Sequence, residues 1–233
     1  MQFVKADIQD QAGIRTIWEE QFTTECEYLS VMFGEIIPNC TSYVCKDGNK
    51  VISALSLMPM LFIDDNKGTR LNGWYMFGVA TLRDYWGKRI AAQTIEYASS
   101  EMEKEGFSFI FERPANQTLN NYYSKLGFTK QLQYIPHRFN TAIFDGSTRN
   151  IGIKDSAKAE AENVLKEIRR CHPKRFEWSE PSIIQSLIKI GELEFNNTTY
   201  CKTPPEGVFI SIKTMNKTPE NIFDNAFFCF PME

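Results

Sequence analysis

The sequence predicts a mixed α/β sheet flanked by helices, followed by a C-terminal α+β extension. Three observations carry this. Residues 1–145 alternate strand-like and helical stretches in the order β-α-α-β-β-β-α-β-α-β. Within that order the apolar run 107–112 arrives after a long helix and is nearly continuous, which suits a buried parallel strand. Asp145-Gly146-Ser147 and Asn150-Ile151-Gly152 then mark a turn-rich boundary, dividing the chain into residues 1–145 and 146–233.

Residues 2–6 read as a strand. Asp7 or Asp10 caps the helix that follows, where Ile14, Ile17, Trp18 and Phe22 share one face. A second helix passes through Tyr28, Leu29, Met32, Phe33 and Ile36 until Pro38 ends it. Residues 41–45 form a strand, and Asp47-Gly48-Asn49 is a hairpin turn. Residues 51–63 form a long strand in which Pro59 signals a bulge or bend. After 64–68 another strand runs to about Thr81. A helix from Gly87 to Lys104 turns Ala91, Ile95, Ala98 and Met102 inward and closes at Gly106. Residues 116–126 form a helix closed by Gly127, and strands follow near 131–135 and 141–144.

Beyond the boundary, Asp155-Ser156 opens a helix through Val164, Leu165 and Ile168 that Pro173 stops. Ser179-Glu180-Pro181 opens another through Ile183, Leu187 and Ile190. Strands are expected at 199–202, 208–212 and 226–230, with Trp178, Phe227, Phe228 and Phe230 in the core.

Hydrophobic residues make up 42% of the chain and charged residues 24%, enough of the former to pack a core. The net charge of −3, with both signs interspersed, argues against a nucleic-acid partner, which would need a basic stripe. The six cysteines show no CxxC spacing and the two histidines, His137 and His172, are far apart, so no metal site is expected. The N-terminus lacks the apolar core of a signal peptide, and no apolar run reaches membrane-spanning length. Reduced thiols in a cytoplasmic protein without a membrane partner are the expectation, and a homodimer is compatible with it.

The turn between Thr81 and Gly87 opens a helix whose first N–H groups have no intrahelical partner. Such an end seats a phosphate. Gly87 lets the backbone approach closely, and Lys88 and Arg89 add positive charge. By spacing alone, an ordinary strand-helix junction is an equal reading. Glu112 ends the strand 107–112, where its carboxylate takes a proton, pairs with Arg113 or stands in solvent. Glu35 and Glu233 are further carboxylates, and no spacing selects among the three. His137 and the adjacent pair Cys171-His172 carry no catalytic pattern.

Residues 78–91, Gly-Val-Ala-Thr-Leu-Arg-Asp-Tyr-Trp-Gly-Lys-Arg-Ile-Ala, resemble the acetyl-CoA motif of the GNAT superfamily, departing from it at Trp86 and Arg89. Residues 116–128, with Asn116, Tyr123, Lys125, Gly127 and Phe128 in their places, resemble a second signature of that family. The resemblance covers the middle third of the chain, and the element order agrees with it. It implies a GNAT-like fold and acetyl-CoA as cofactor. The backbone of Val79, Ala80 and Thr81 would pair with the pantetheine arm, and N–H groups of Gly87, Lys88, Arg89, Ile90, Ala91 and Ala92 would hold the pyrophosphate. Asn116 would touch the cofactor from the next helix, and Tyr123 would protonate the leaving thiolate. Glu112 joins Tyr123 as the catalytic pair to test. The implied activity is N-acetylation of a primary amine of a small molecule or peptide. A non-catalytic CoA-binding or regulatory module is the alternative, since Arg89 either fills the pyrophosphate groove or points away from it. The tail's helix-helix-strand-strand-strand order resembles half of such a fold, a partial second GNAT-like unit.

Overall fold

The computed structural model describes residues 1–22, 26–133, 162, 165–166, 168–179, 182–183, 186 and 209–227. Its strands are β1 (Gln2–Lys5), β2 (Thr41–Asp47), β3 (Lys50–Asp64), β4 (Thr69–Thr81), β5 (Phe109–Glu112), β6 (Lys130–Gln133), β7 (Lys174–Trp178) and β8 (Phe209–Thr214). They form one sheet in the order β1-β2-β3-β4-β5-β8-β6, with β7 on β3. The helices are α1 (Gln11–Gln21), α2 (Cys26–Val31), α3 (Ile90–Lys104) and α4 (Gln117–Ser124). The expected strands at 141–144 and 199–202, together with His137, Phe228, Phe230 and Glu233, lie outside the described residues.

Local chemistry sets the element ends. Asp7 accepts a hydrogen bond from the Gln9 N–H at 2.8 Å, and the Asp7 N–H donates to Asp10 at 3.1 Å. This capping box fixes a 3-10 turn at Ile8–Asp10 that leads into α1. Ile14, Ile17 and Trp18 of α1 are buried, as their spacing predicts. The expected second helix continues past α2 as a π-helical turn, Met32–Ile36, and a 3-10 turn, Ile37–Asn39, that contains Pro38.

β3 pairs with three strands, β2, β4 and β7. β2 pairs with it only as far as Leu57, and β7 takes over the same edge from Met60. Pro59 falls between the two. Its carbonyl accepts from the Ser179 N–H at 3.2 Å on that edge, so the missing proline N–H faces the gap between β2 and β7. The bulge expected at Pro59 therefore lies elsewhere. The β3–β4 register slips between Ala54 and Ser56, opposite Gly78 and Val79. Gly78 has φ +62°, and a Cβ there would lie 2.4 Å from the Trp18 ring. Gly78→Ala should therefore cost about 2 kcal/mol of stability, read from the shift in urea midpoint at unchanged slope.

β7 was not expected from the sequence. Its Arg175 and Glu177 are charged, yet they are 4% and 2% exposed. Arg175 pairs with Glu177 and with Asp65, and Arg169 reaches Glu177 at 2.9 Å. Mutual pairing makes their burial tolerable. Phe176 and Trp178 fill the core on the opposite face. β8 returns to lie between β5 and β6, so two strands from beyond residue 146 belong to the same sheet as those before it. Of the strand expected at 226–230, residues 226 and 227 are described, and Phe227 bridges to Arg175.

The sheet separates two apolar clusters. Trp18, Phe62, Phe109, Phe111, Phe176 and Phe223 belong to one. Leu57, Met76, Ile95, Met102, Tyr123 and Phe128 belong to the other, beneath α3 and α4. Among the described residues no helix is long and apolar enough to cross a membrane.

Candidate active site

The site forms where β4 and β5 part. β5 runs parallel to β4 from Gly73 to Met76, and its last pair is Met76 with Glu112. Past that pair, no strand among the described residues covers this edge of β4 through Thr81. An open edge carries unpaired N–H and C=O groups. The end of β4 is held from behind. The Ser53 hydroxyl donates to the Ala80 carbonyl at 3.0 Å, and the Thr81 hydroxyl donates to Ser53 at 2.8 Å. Thr94 on α3 lies 3.5 Å from the same serine and bonds back to the Ile90 carbonyl. Ser53 is wholly buried and ties the strand edge to the helix start. Sequence reading missed it; a serine inside the apolar run 51–55 was the available signal.

The turn after β4 is pinned. The Arg83 N–H donates to Glu20 at 2.8 Å, the Tyr85 hydroxyl to Asp47 at 3.0 Å, and the Trp86 indole N–H to the Thr81 carbonyl at 2.7 Å. Lys88 bonds the Asp84 carbonyl at 3.3 Å and lies 4.9 Å over the Tyr85 ring. α3 begins at Ile90, three residues after the expected start. Gly87 and Arg89 have φ +76° and +59°, outside helical space, and delay it. The buried alanine is consequently Ala92, at 3% exposure, while Ala91 faces a groove. The Arg89 side chain is 77% exposed and lies 3.8 Å from Glu96, so it does not fill that groove.

The groove has a volume of about 530 Å³. Val79, Ala80, Thr81, Gly87, Arg89, Ile90 and Ala91 line it, all of them anticipated from the sequence. A second cavity of about 210 Å³ adjoins it, walled by Trp18, Tyr28, Tyr75 and Phe77 and containing Glu112. Phe22, Val79, Leu119 and Tyr123 line both. The aromatic wall was invisible in the sequence because α1, α2 and β4 supply it from separate stretches.

Asn116 is the N-cap of α4, its side-chain carbonyl accepting from the Leu119 N–H at 3.0 Å. It lines neither cavity. Tyr123 is 9% exposed, and Tyr122 packs edge-on against it. Burial, and then the nearby Glu112, push the Tyr123 phenol well above its ordinary value, so it keeps its proton at neutral pH. Glu112 is 2% exposed and its Oε1 has no hydrogen-bond partner. Burial raises its carboxyl to about 9, against a lowering by the Ser211 hydroxyl opposite it on β8. Ser211 also donates to Asn120 on α4 at 2.9 Å. No ion pair joins Glu112 to Arg113 among the described residues. Of the other candidates, Glu35 accepts from Ser186 at 2.8 Å and His172 stacks on Phe227, and neither residue lines either cavity.

A strand that parts from its parallel neighbour, an open edge and a helix N-terminus beside a groove define an α/β ligand-binding class. Residues 11–128, half of the chain, match the family model for the acetyltransferase (GNAT) family. The chain belongs to the GNAT acetyltransferase family. Comparison with curated proteins finds no match. Among solved structures, a conserved protein of unknown function from Enterococcus faecalis is similar with TM-score 0.52 at 11% identity, over 94% of this chain and 74% of that one. A GCN5-related N-acetyltransferase from Anabaena variabilis gives 0.52 at 18% identity, over 80% and 47%. Another from Kribbella flavida gives 0.51 at 14%, over 79% and 48%. This chain thus spans about half the length of the last two, and at these identities the likeness concerns the fold.

Proposed function

We propose that the protein is an acetyl-CoA-dependent N-acetyltransferase acting on a primary amine of a small molecule or peptide. The observation that carries this reading is the meeting of groove and pocket at Val79 and Tyr123. One space suits a long anionic cofactor and the other an acceptor, with a protonated phenol between them.

The residues fit the cofactor. The open edge of β4 offers an extended amide-bearing arm a strand to pair with. N–H groups from Gly87 to Ala92, at the start of α3, suit a pyrophosphate, and nothing lies within 4 Å of where a Gly87 Cβ would stand. Bound acetyl-CoA supplies a thioester carbon open to attack and a thiol to be released. The amine nitrogen bonds to that carbon as the carbon–sulfur bond breaks. Glu112 takes the proton that an arriving ammonium sheds, Tyr123 donates its phenol proton to the departing sulfur, and the proton the nitrogen loses as the amide forms restores the phenol. The net exchange is amine plus thioester for amide plus thiol.

The buried Glu112 carboxyl, at about 9, approaches the proton affinity of a primary amine, near 10.4 for a lysine-type group. In a desolvated pocket the neutral amine and neutral acid are then favoured over the ion pair. An amine arriving as ammonium therefore sheds a proton and sits in its nucleophilic form. The exposed position of Arg89 disfavours the non-catalytic alternative, which needs the side chain in the groove. Free thiols at Cys26, Cys40 and Cys45 fit a cytoplasmic setting.

Saturating acetyl-CoA should raise the melting temperature, and thiol release should follow with an amine. No shift at saturation would sink the cofactor reading; a shift without thiol release across an amine panel would favour the binding module. Arg89→Gly should keep stability within about 1 kcal/mol of the parent, because glycine relieves the left-handed backbone while loosening the unfolded chain. The same variant should weaken acetyl-CoA binding by about three- to tenfold at low salt, and less at high salt, as an exposed cation lost from the rim would.

A further inference from the structure

The acceptor pocket has a chemistry of its own. Trp18 meets Phe77 edge-on at 6.1 Å, and Tyr75 stacks beside Phe77 at 5.9 Å. Tyr28 closes the wall from α2. Against these rings stand two buried polar atoms without partners, Glu112 Oε1 and Trp18 Nε1. Leaving such groups unpaired is unfavourable. A ligand that brings one N–H-bearing head and an apolar body satisfies the carboxyl and covers the rings. A wholly polar ligand would instead strip water from groups the aromatic wall cannot serve.

Resting on the acetyltransferase reading, we infer that the pocket takes a compact monoamine carrying an aromatic group, with its nitrogen at Glu112 and its ring against Trp18, Tyr75 and Phe77. Size supports the assignment. A cavity of about 210 Å³ corresponds to roughly seven water volumes. That is room for a one-ring amine. Charge supports it as well. Half-buried Arg113 is the other charged residue of the lining, and its cation opposes a second positive charge on the ligand. Edge-on and offset ring contacts then select an aromatic body over an aliphatic one of equal area.

The test compares phenethylamine, ethylamine, ethanolamine and 1,4-diaminobutane, by calorimetric binding to the full chain and by thiol release with acetyl-CoA. Phenethylamine is expected to bind at least tenfold more tightly than the other three and to show a kcat/KM at least tenfold higher. Tyr28→Ala and Phe77→Leu, each checked for an unchanged acetyl-CoA melting shift, should cut the ratio of phenethylamine to ethylamine kcat/KM by about fivefold. Equal or better binding and turnover of ethanolamine or the diamine would overturn the pocket assignment while the acetyltransferase reading stands. An acetyl-CoA shift with no thiol release from any amine would overturn both. A preference for phenethylamine that neither variant alters would overturn the assignment to these rings.

Discussion

Tyr123→Phe is expected to lower kcat by about 10²–10³-fold while acetyl-CoA affinity changes by less than about threefold. The substitution removes one hydroxyl and nothing else from the α4 surface. Tyr123 is 9% exposed, and its ring packs on Phe128 at 5.8 Å and on Tyr122 at 5.3 Å, contacts a phenylalanine keeps. None of the described hydrogen bonds uses its hydroxyl. The fold therefore has little to lose, and a change in rate reports on proton donation. Burial and Glu112 hold the phenol protonated, so it is an acid throughout the working pH range. Tyr122 lines the groove alone, whereas Tyr123 lines both groove and pocket. Tyr122→Phe should accordingly leave kcat within about threefold. Stopped-flow thiol release on both variants separates the cases, and an unchanged kcat for Tyr123→Phe would remove the phenol from the chemistry.

The backbone half of this site was legible in the sequence and the side-chain half was not. The strand 69–81, the turn at Gly87 and the helix carrying Tyr123 follow from local patterns: apolar runs, a glycine stop and an Asn cap. Arg89 was legible only as a departure. Its positive φ shows what the position demands of any residue, a left-handed conformation before the first helical turn. The aromatic wall needed tertiary information, because Trp18, Tyr28 and Phe77 converge from three elements. Trp18 read correctly as a core residue of α1, and nothing in a 3.6-residue period says that a core face also borders a cavity. β7 was hidden for the opposite reason. Charges at alternate positions look like a surface, and only the pairing of Arg175 with Glu177 and Asp65 makes them interior. The return of β8 between β5 and β6 is likewise a long-range pairing that local order cannot specify.

Glu112→Gln should move stability and activity in opposite directions, and that opposition is the evidence sought. The folded-state carboxyl sits at about 9, above its ordinary 4.5. Between those values the folded protein holds a proton that the unfolded chain has released. Stability is then fully present below pH 4.5 and declines as pH rises toward 9. A neutral glutamine removes that decline, so at pH 8 the variant should be more stable by on the order of 2 kcal/mol, with a flatter pH dependence in urea melts. Turnover should go the other way. In the parent, kcat/KM should rise about tenfold per pH unit toward a plateau near 9 as the proton leaves the Glu112–amine site. In Glu112→Gln it should fall by about 10²–10³-fold at pH 9, with the Glu112 contribution gone from the profile. Tyr123 and Ser211 face the carboxyl and are unchanged by the substitution, and Arg113 lines the same pocket. A purely structural Glu112 would give the stability gain with an unaltered rate profile. A catalytic one spends stability on a proton acceptor held away from water, and only the paired measurement distinguishes them.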